Sequence, residues 1–202
     1  MKIAKNQFTN AVKKYITIGV VGGQERIGTT TQSLQIVLYL QLMGSKVCYV
    51  EMNKSNYIEQ TKQLYNSVKY NEVSGKYTTN DIEMFKGGNL PFVIKANYDY
   101  IIKDYGNVEN DFNKLSFLES DIQIIVVGAK PNEIFQTTEC LRDKAYTNSK
   151  YIFSFVPKGD REDILEMMGS KSSDTFFATL NVYDPFVYNS ASNTIFKNII
   201  DG

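Results

Sequence analysis

The amino-acid sequence predicts a doubly wound α/β domain whose mainly parallel sheet is flanked by helices. Short apolar segments, typical of buried strands, alternate with longer amphipathic segments, typical of helices, along most of the chain. The first such unit is a strand at 15–21, a helix at 30–43 and a strand at 46–51, with Gly44 as the cap that ends the helix. This order indicates a parallel pair of strands joined by a right-handed crossover.

The alternation continues to the end of the chain. Four further apolar segments have the length of buried strands: 98–103, 122–127, 151–156 and 176–180. Three more helices are predicted, one opening at Pro131, one at 161–168 and one at 190–200. Between the two halves the pattern weakens, and there we predict a polar helix at 57–70 and a hairpin through 77–85.

Length and composition indicate one domain over 1–202, with 1–14 as a basic N-terminal extension. The 202 residues are 43% hydrophobic, which is enough to bury a substantial core. The 22 basic and 22 acidic residues cancel, so there is no global electrostatic case for a nucleic-acid partner. The first residues lack the apolar core of a secretory signal, and no later apolar run would span a bilayer, so we expect a cytoplasmic protein.

The absence of histidine excludes several kinds of site. It removes Ser-His-Asp and Cys-His nucleophiles and every histidine metal site. Cys48 and Cys140 have no metal-ligand spacing, and we expect both to be buried thiols. The expected metal is therefore a hard ion held by oxygen atoms, such as Mg²⁺.

A glycine loop between the first strand and the first helix carries the functional signal. The segment ITIGVVGGQERIGTTT (16–31) matches the phosphate-loop pattern G-x-x-x-x-G-K-[ST] at Gly23, Gly28 and Thr30, but Thr29 stands in the place of the lysine. In such loops backbone N–H groups and the helix N-terminus cradle phosphates, the lysine neutralises their charge and the hydroxyl holds Mg²⁺. The cradle and the hydroxyl are retained here, whereas the principal cation is missing.

At this loop the chain resembles the ParA/MinD-like class of P-loop ATPases, the partition and Min proteins, whose loop usually reads K-G-G-x-G-K-T-T. When the two loops are aligned on Gly28, the first lysine of the family falls at Gln24 and its glycine pair at Glu25 and Arg26. The second lysine falls at Thr29, so both lysines are absent.

Two further segments carry the resemblance. VCYVEMN (47–53) is similar to the family's strand that ends in D-x-D, with Glu51 and Asn53 at the two aspartate positions. YDYIIKDYG (98–106) is similar to the strand that leads to the Mg²⁺-associated aspartate, with Asp104 in that place. We expect the first strand to lie centrally in the sheet, beside the strand that ends at Asp104.

The resemblance implies a P-loop NTPase-like three-layer sandwich, ATP or ADP with Mg²⁺ as cofactor, and a homodimer or another protein as partner. It assigns nucleotide contacts to the loop residues Gly23, Gln24, Glu25, Arg26, Ile27, Gly28, Thr29 and Thr30. It assigns the metal to Thr30, Glu51 and Asp104, and no catalytic residue is identified. Because the family's first lysine reaches across the dimer, Gln24 weakens the case for the usual sandwich dimer.

Three hypotheses about function follow from the altered loop. The favoured one is a nucleotide-binding protein with weak or no ATP hydrolysis that serves as a regulatory or assembly partner, because the loop lysine that stabilises transferring phosphate is missing. The second is an active ATPase in which Arg26 or a partner's residue replaces that lysine. The third is an interaction module that keeps the fold and binds no nucleotide. A dehydrogenase-type dinucleotide site is excluded because the spacing G-x-G-x-x-G is absent.

Overall fold

A computed structural model describes residues 15–109, 112–178 and 184–201 of the protein. The predicted basic extension, 1–14, lies outside these described residues, as do the last two residues of the strand predicted at 176–180. The assignment of the chain to one domain stays a prediction.

The described residues contain a nine-stranded sheet that is mainly parallel. Its strands in chain order are β1 (Ile16–Gly22), β2 (Val47–Glu51), β3 (Lys69–Asn71), β4 (Lys76–Thr79), β5 (Ile82–Lys86), β6 (Tyr100–Asn107), β7 (Ile122–Val127), β8 (Lys150–Phe153) and β9 (Thr175–Phe177). Their order across the sheet is β3-β4-β5-β2-β6-β1-β7-β8-β9. All neighbours from β5 to β9 are parallel, and β3 and β4 extend one edge in antiparallel pairing.

Seven α-helices of the described residues connect and cover these strands. They are α1 (Thr29–Leu42), α2 (Tyr57–Leu64), α3 (Leu90–Lys95), α4 (Lys114–Leu118), α5 (Ile134–Arg142), α6 (Arg161–Met168) and α7 (Asn193–Asp201). The neighbouring residues Val20 and Val21 of β1 belong to different hydrophobic clusters, because successive side chains of a strand point to opposite faces. The predicted doubly wound architecture is confirmed.

The central helix α1 is held by burial on several sides. It contacts β1, β2, β6 and α7, and Leu34, Ile36 and Val37 are fully buried. At its end the N–H groups of Gly44 and Ser45 donate to the carbonyls of Gln41 and Leu40, with Gly44 in the left-handed region at φ 85°. Gly44 is therefore the helix terminator that the sequence predicts.

Two predicted elements have different bounds in the structure. The polar helix predicted at 57–70 ends at Leu64, because Tyr65 is extended at φ −116° and 69–71 pair as β3. The hairpin predicted through 77–85 is confirmed as β4 and β5. The helix predicted to open at Pro131 begins three residues later, at Ile134.

The strand predicted to end at Asp104 continues to Asn107 as β6. The sequence alone predicts a turn there, because Gly106 follows Asp104 after one residue and glycine is a common turn signal. Instead Gly106, at φ 75°, accommodates a shift in the pairing of β1 with β6, and the strand resumes. A glycine in the left-handed region inside a strand is typical of a bulge.

The remaining predictions hold within a few residues. The strand predicted at 151–156 ends at Phe153, and Phe155 beyond it has a left-handed backbone at φ 59°. The last helix is preceded by one 3-10 turn and begins at Asn193. Cys48 and Cys140 are both buried free thiols, as predicted.

Candidate functional site

The glycine loop lies at the carboxyl edge of the sheet, in its centre. It follows β1, which lies between β6 and β7. The N–H of Gly23 donates to the carbonyl of Val126 at 2.8 Å, and the carbonyl of Gly22 accepts from the N–H of Val108 at 2.9 Å. The loop is therefore tied to the strands on both sides, at the edge where open parallel sheets bind ligands.

Gly28 forms the junction between this loop and α1. Its φ of 99° is a left-handed conformation that residues with side chains adopt only with strain. Its carbonyl accepts the N–H of Gln32 at 2.9 Å, which begins the hydrogen bonding of a 14-residue helix. The first turn of α1 contains no acidic side chain, and Gly28 offers none as a cap, so the positive end of the helix dipole faces the loop, an arrangement that favours anions.

Thr29 does not take over the role of the missing lysine. Only 8% of the residue is exposed, and a Cβ built on Gly22 would lie 2.3 Å from its Oγ1 atom. The hydroxyl therefore packs against the end of β1 beneath the loop. It fills space and supplies no positive charge.

A cavity of about 870 Å³ opens in front of the loop. Its cationic side chains are Arg26, from the loop, and Lys54, from the segment after β2. Its aromatic wall comprises Tyr57, Tyr105 and Phe112. Sequence analysis missed Lys54 because it compared only motif positions, although the position directly after Asn53 was a usable signal.

Arg26 has a strained backbone, at φ 58°. It stands where the resembling family has a glycine, and a non-glycine residue in this region costs about 1–2 kcal/mol. Its neighbour Glu25 is exposed and donates its N–H to the carboxylate of Glu109 at 3.4 Å, whereas Ile27 is buried at 1% exposure. The loop thus turns a cation toward the cavity at a cost in backbone energy.

Asp104 is buried completely and accepts four hydrogen bonds. Its Oδ2 atom accepts from Thr30 Oγ1 at 2.6 Å and from Tyr49 OH at 2.8 Å. Its Oδ1 atom accepts from Gly106 N at 2.9 Å and from Asn53 Nδ2 at 3.2 Å. Burial raises the pKa of Asp104 above its ordinary value of 3.8, and these hydrogen bonds oppose the rise.

Glu51 is held by residues at the start of α2. Its Oε1 atom accepts from Ser55 Oγ at 2.8 Å and from the N–H of Tyr57, the first residue of α2. Burial raises the pKa of Glu51, and these two bonds lower it. The carboxylate therefore acts as a cap for the N-terminus of α2.

The residues present fit an anion but do not fit a divalent metal. An ionised carboxylate offers about four lone-pair sites, and four protein donors already occupy those of Asp104. The Oε1 atom of Glu51 is engaged with Ser55 and with Tyr57, the first residue of α2. Among residues 15–109, 112–178 and 184–201, no three cysteine or acidic side chains come together as a metal site.

Comparison with solved structures identifies the fold. A MinD cell division protein of Aquifex aeolicus aligns with a TM-score of 0.60 at 15% identity, over 91% of this chain and 86% of that one. A putative plasmid partition protein of Borrelia burgdorferi, solved bound to AMPPNP, aligns with a TM-score of 0.59 at 17% identity, over 94% and 98%. The fold is ParA/MinD-like. No model of a known protein family and no curated protein matches the chain.

Other structures share the ParA/MinD-like fold with this chain. A ParA family ATPase of Chlorobium tepidum aligns with a TM-score of 0.56 at 12% identity, over 85% of each chain. Identities this low support a common fold and nothing about activity. Within the described part of the chain, no helix is long and apolar enough to cross a membrane.

Proposed function

We propose that this protein binds ATP or ADP at the loop 23–30, hydrolyses it weakly or not at all, and serves as a regulatory or assembly partner of another protein or of a second copy. The observation that carries the proposal is the junction at Gly28, where the N-terminus of α1 opens into a cavity of about 870 Å³. A cavity of that size is within the range that holds small-molecule ligands.

Several groups support phosphate binding without the loop lysine. Anions at a helix N-terminus gain about 0.3–1 kcal/mol, and up to about 2 kcal/mol where the site is partly buried. Arg26 and Lys54 line the cavity and add two positive charges, and Glu25 in the same lining adds one negative charge, so the lining is net positive by one charge. Guanidinium groups bind phosphate oxygens in pairs, whereas an ammonium group binds them as a point charge.

Weak hydrolysis follows from the position of Thr29. Removing one well-placed electrostatic contact to a transition state costs roughly 3–4 kcal/mol, or a factor of hundreds to a thousand in rate. The Thr29 hydroxyl packs against Gly22 and carries no charge, so nothing at this position offsets charge on a transferring phosphoryl group. Asn53, at an aspartate position of the resembling family, provides no carboxylate to accept a proton or orient water.

The solved structures also support the proposal. The similar Borrelia burgdorferi partition protein was solved bound to AMPPNP, an analogue of ATP. A complex of MinC and MinD from Aquifex aeolicus aligns with this chain at a TM-score of 0.60, and it supports a protein partner.

Calorimetric titration with ATP, ADP and GTP, combined with a phosphate-release assay, tests the proposal. We expect measurable binding of at least one nucleotide by the wild type. Arg26→Ala and Lys54→Ala should each weaken that binding by about tenfold, equivalent to about 1.4 kcal/mol. Lys69→Ala is the matched control, because Lys69 is exposed on β3 at the edge of the sheet.

Two outcomes would contradict the proposal. One is that millimolar nucleotide produces neither heat nor a change in the amide resonances of Gly28, Thr29 and Thr30. The other is ATP turnover at rates ordinary for the class that Arg26→Ala leaves unchanged, which would mean that a residue outside the loop performs the work of the lysine.

A further inference from the structure

Three polar side chains of the β2 segment share one face of the sheet. Tyr49 and Glu51 alternate within β2, so both point toward the side on which α1 packs, and Asn53, two residues beyond the strand, reaches Asp104 on the same side. Asp104 on the adjacent strand β6 is directly opposite Glu51 in the register. Two of these three side chains, Tyr49 and Asn53, donate to Asp104, and the third, Glu51, accepts from Ser55.

Tyr49 is the unusual member of this group. It is fully buried in the hydrophobic cluster between α1 and the sheet, and its hydroxyl reaches Asp104 Oδ2 at 2.8 Å. Burial and the neighbouring Asp104 carboxylate raise the pKa of Tyr49 well above its ordinary value of 10.0, so its hydroxyl stays protonated as a donor. If the buried Tyr49 hydroxyl lost Asp104 as its acceptor, it would have no hydrogen-bond partner, and the cost of that loss stabilises the bond to Asp104.

The four donors leave Asp104 no free lone-pair site for a metal ion or a metal-bound water. One of them, the Thr30 hydroxyl, comes from the first turn of α1 and ties that turn to β6. The loop is thereby fixed in place by protein contacts alone.

We propose that Asp104 is a structural anchor of the glycine loop and not a metal-binding acid, so that phosphate ligands bind here independently of divalent metal. This inference rests on the proposed nucleotide binding and adds that the nucleotide binds without the help of a divalent metal. In this proposal the positive charge that Mg²⁺ supplies in other phosphate loops comes from Arg26 and Lys54, which line the same cavity and together outweigh the one acidic residue of the lining, Glu25.

The first measurement compares calorimetric dissociation constants for ADP and ATP in excess Mg²⁺ and in EDTA. For the wild type they should agree within about twofold. Tyr49→Phe keeps the buried ring and opens one lone-pair site on Oδ2, so the affinity in Mg²⁺ should rise about fivefold or more over that in EDTA. Tyr98→Phe is the matched control, because Tyr98 is also buried and donates to a carboxylate, that of Glu83, away from the loop.

The second measurement requires no nucleotide. Mn²⁺ is titrated into the protein, and paramagnetic broadening is followed at the amides of Thr30, Asp104 and Gly106. The wild type and Tyr98→Phe should show no selective broadening, and Tyr49→Phe should show it. Asn53→Ala opens the other oxygen, Oδ1, and serves as a second test if Tyr49→Phe does not fold.

The outcomes separate the inference from the proposed function. A loss of about tenfold or more in wild-type affinity on adding EDTA overturns the inference and leaves nucleotide binding intact. Selective Mn²⁺ broadening in the wild type overturns it as well, and so does the absence of any gain in both Tyr49→Phe and Asn53→Ala. If no nucleotide binds in either buffer, the proposed function fails, and the Mn²⁺ titration alone decides whether Asp104 accepts a metal.

Discussion

Thr29 is the residue at which the loop departs most from a working phosphate loop. Its side chain lies beneath the loop, and the cavity beyond it is open. Thr29→Lys places an ammonium group where it can extend over the loop toward a bound phosphate. Because hydrogen bonds to charged groups contribute about 1.5–3 kcal/mol, we expect ATP affinity to rise by about tenfold or more, measured by calorimetry.

Thr31→Lys is the control for this change, because it adds the same charge two residues further along the cavity wall. We expect it to have the smaller effect, since its spacing from Gly28 does not match the loop pattern. Equal gains from the two variants would show that only the total charge of the cavity matters.

The lowered pKa of Glu83 makes the stability of the protein depend on pH. Burial raises its pKa, but hydrogen bonds from Lys76 and Tyr98 outweigh burial and hold the pKa below the ordinary value of 4.5. A carboxyl whose pKa is depressed by folding stabilises the protein fully above that ordinary value and loses the effect as pH falls through the folded value. The difference in unfolding free energy between wild type and Glu83→Gln should therefore shrink in acid.

Denaturant unfolding of both proteins between about pH 7 and about pH 3 measures this difference. A difference that stays constant across this interval would mean that the two hydrogen bonds do not depend on the charge of Glu83.

At the residue scale, sequence patterns located the glycine loop, but they did not reveal the residues that bind Asp104 or line the cavity beside the loop. The match of Gly28, Thr30 and Asp104 to known motifs indicated which residues come together, and Thr30 does bond to Asp104. Tyr49 was not found because its bond to Asp104 joins residues distant in the chain, and Lys54 was not found because only motif positions were compared. A motif records positions, and it carries no information about which lone pairs are already occupied.

Among the elements, α1 contributes several fully buried side chains to the core around the site. Ile36 is fully buried on this helix, and Ile36→Ala leaves a cavity, so it should lower the unfolding free energy by about 2–5 kcal/mol in urea titrations. Leu42→Ala on the same helix is the matched control, because Leu42 is 60% exposed and should lose much less. Similar losses for both would mean that burial does not govern the result, and helix propensity would not explain them either, because alanine is the better helix former at both positions.

The elements that sequence analysis placed well are those with strong apolar periodicity. The strand β7 and the helix α6 have the predicted bounds because each repeats its pattern without interruption. The strand β3 was missed because its three residues are all exposed and carry no alternation. The predicted end of β6 at Asp104 was wrong because Gly106, which signals a turn in the sequence, permits a bulge within the strand instead.

For the whole molecule, the uncharged side chain of Gln24 leads to a prediction about whether nucleotide causes two copies to dimerise. The resembling family has at this position a lysine that reaches across a dimer, and Gln24 lines the cavity without a charge. We expect light scattering to give the same mass for the wild type with and without ATP. Gln24→Lys should shift the protein toward a dimer when ATP is present, by about tenfold in the dimer dissociation constant, since charged hydrogen bonds contribute about 1.5–3 kcal/mol.

Gln63→Lys is the control, because Gln63 is exposed on α2 outside the cavity. A nucleotide-dependent dimer of the wild type would contradict this prediction and would show that another group bridges the two copies.

The turn between β4 and β5 affects the order in which the strands of the sheet pair during folding. Its two central residues, Asn80 and Asp81, both have positive φ, at 45° and 63°, and Thr79 pairs directly with Ile82. This is the backbone of a type I′ turn, which favours a hairpin that closes within about 1–10 μs. Every parallel pair in the sheet must instead close a long loop before it gains any contact.

The hairpin is therefore expected to form first and to present β5 as the edge on which β2 docks. Asp81→Gly creates Asn-Gly, the preferred pair for this turn, and retains the carbonyl that accepts from Gln41. In stopped-flow experiments it should speed refolding and leave the unfolding rate nearly unchanged. If it slows unfolding alone, the parallel strands assemble first and the hairpin is added to a sheet that already exists.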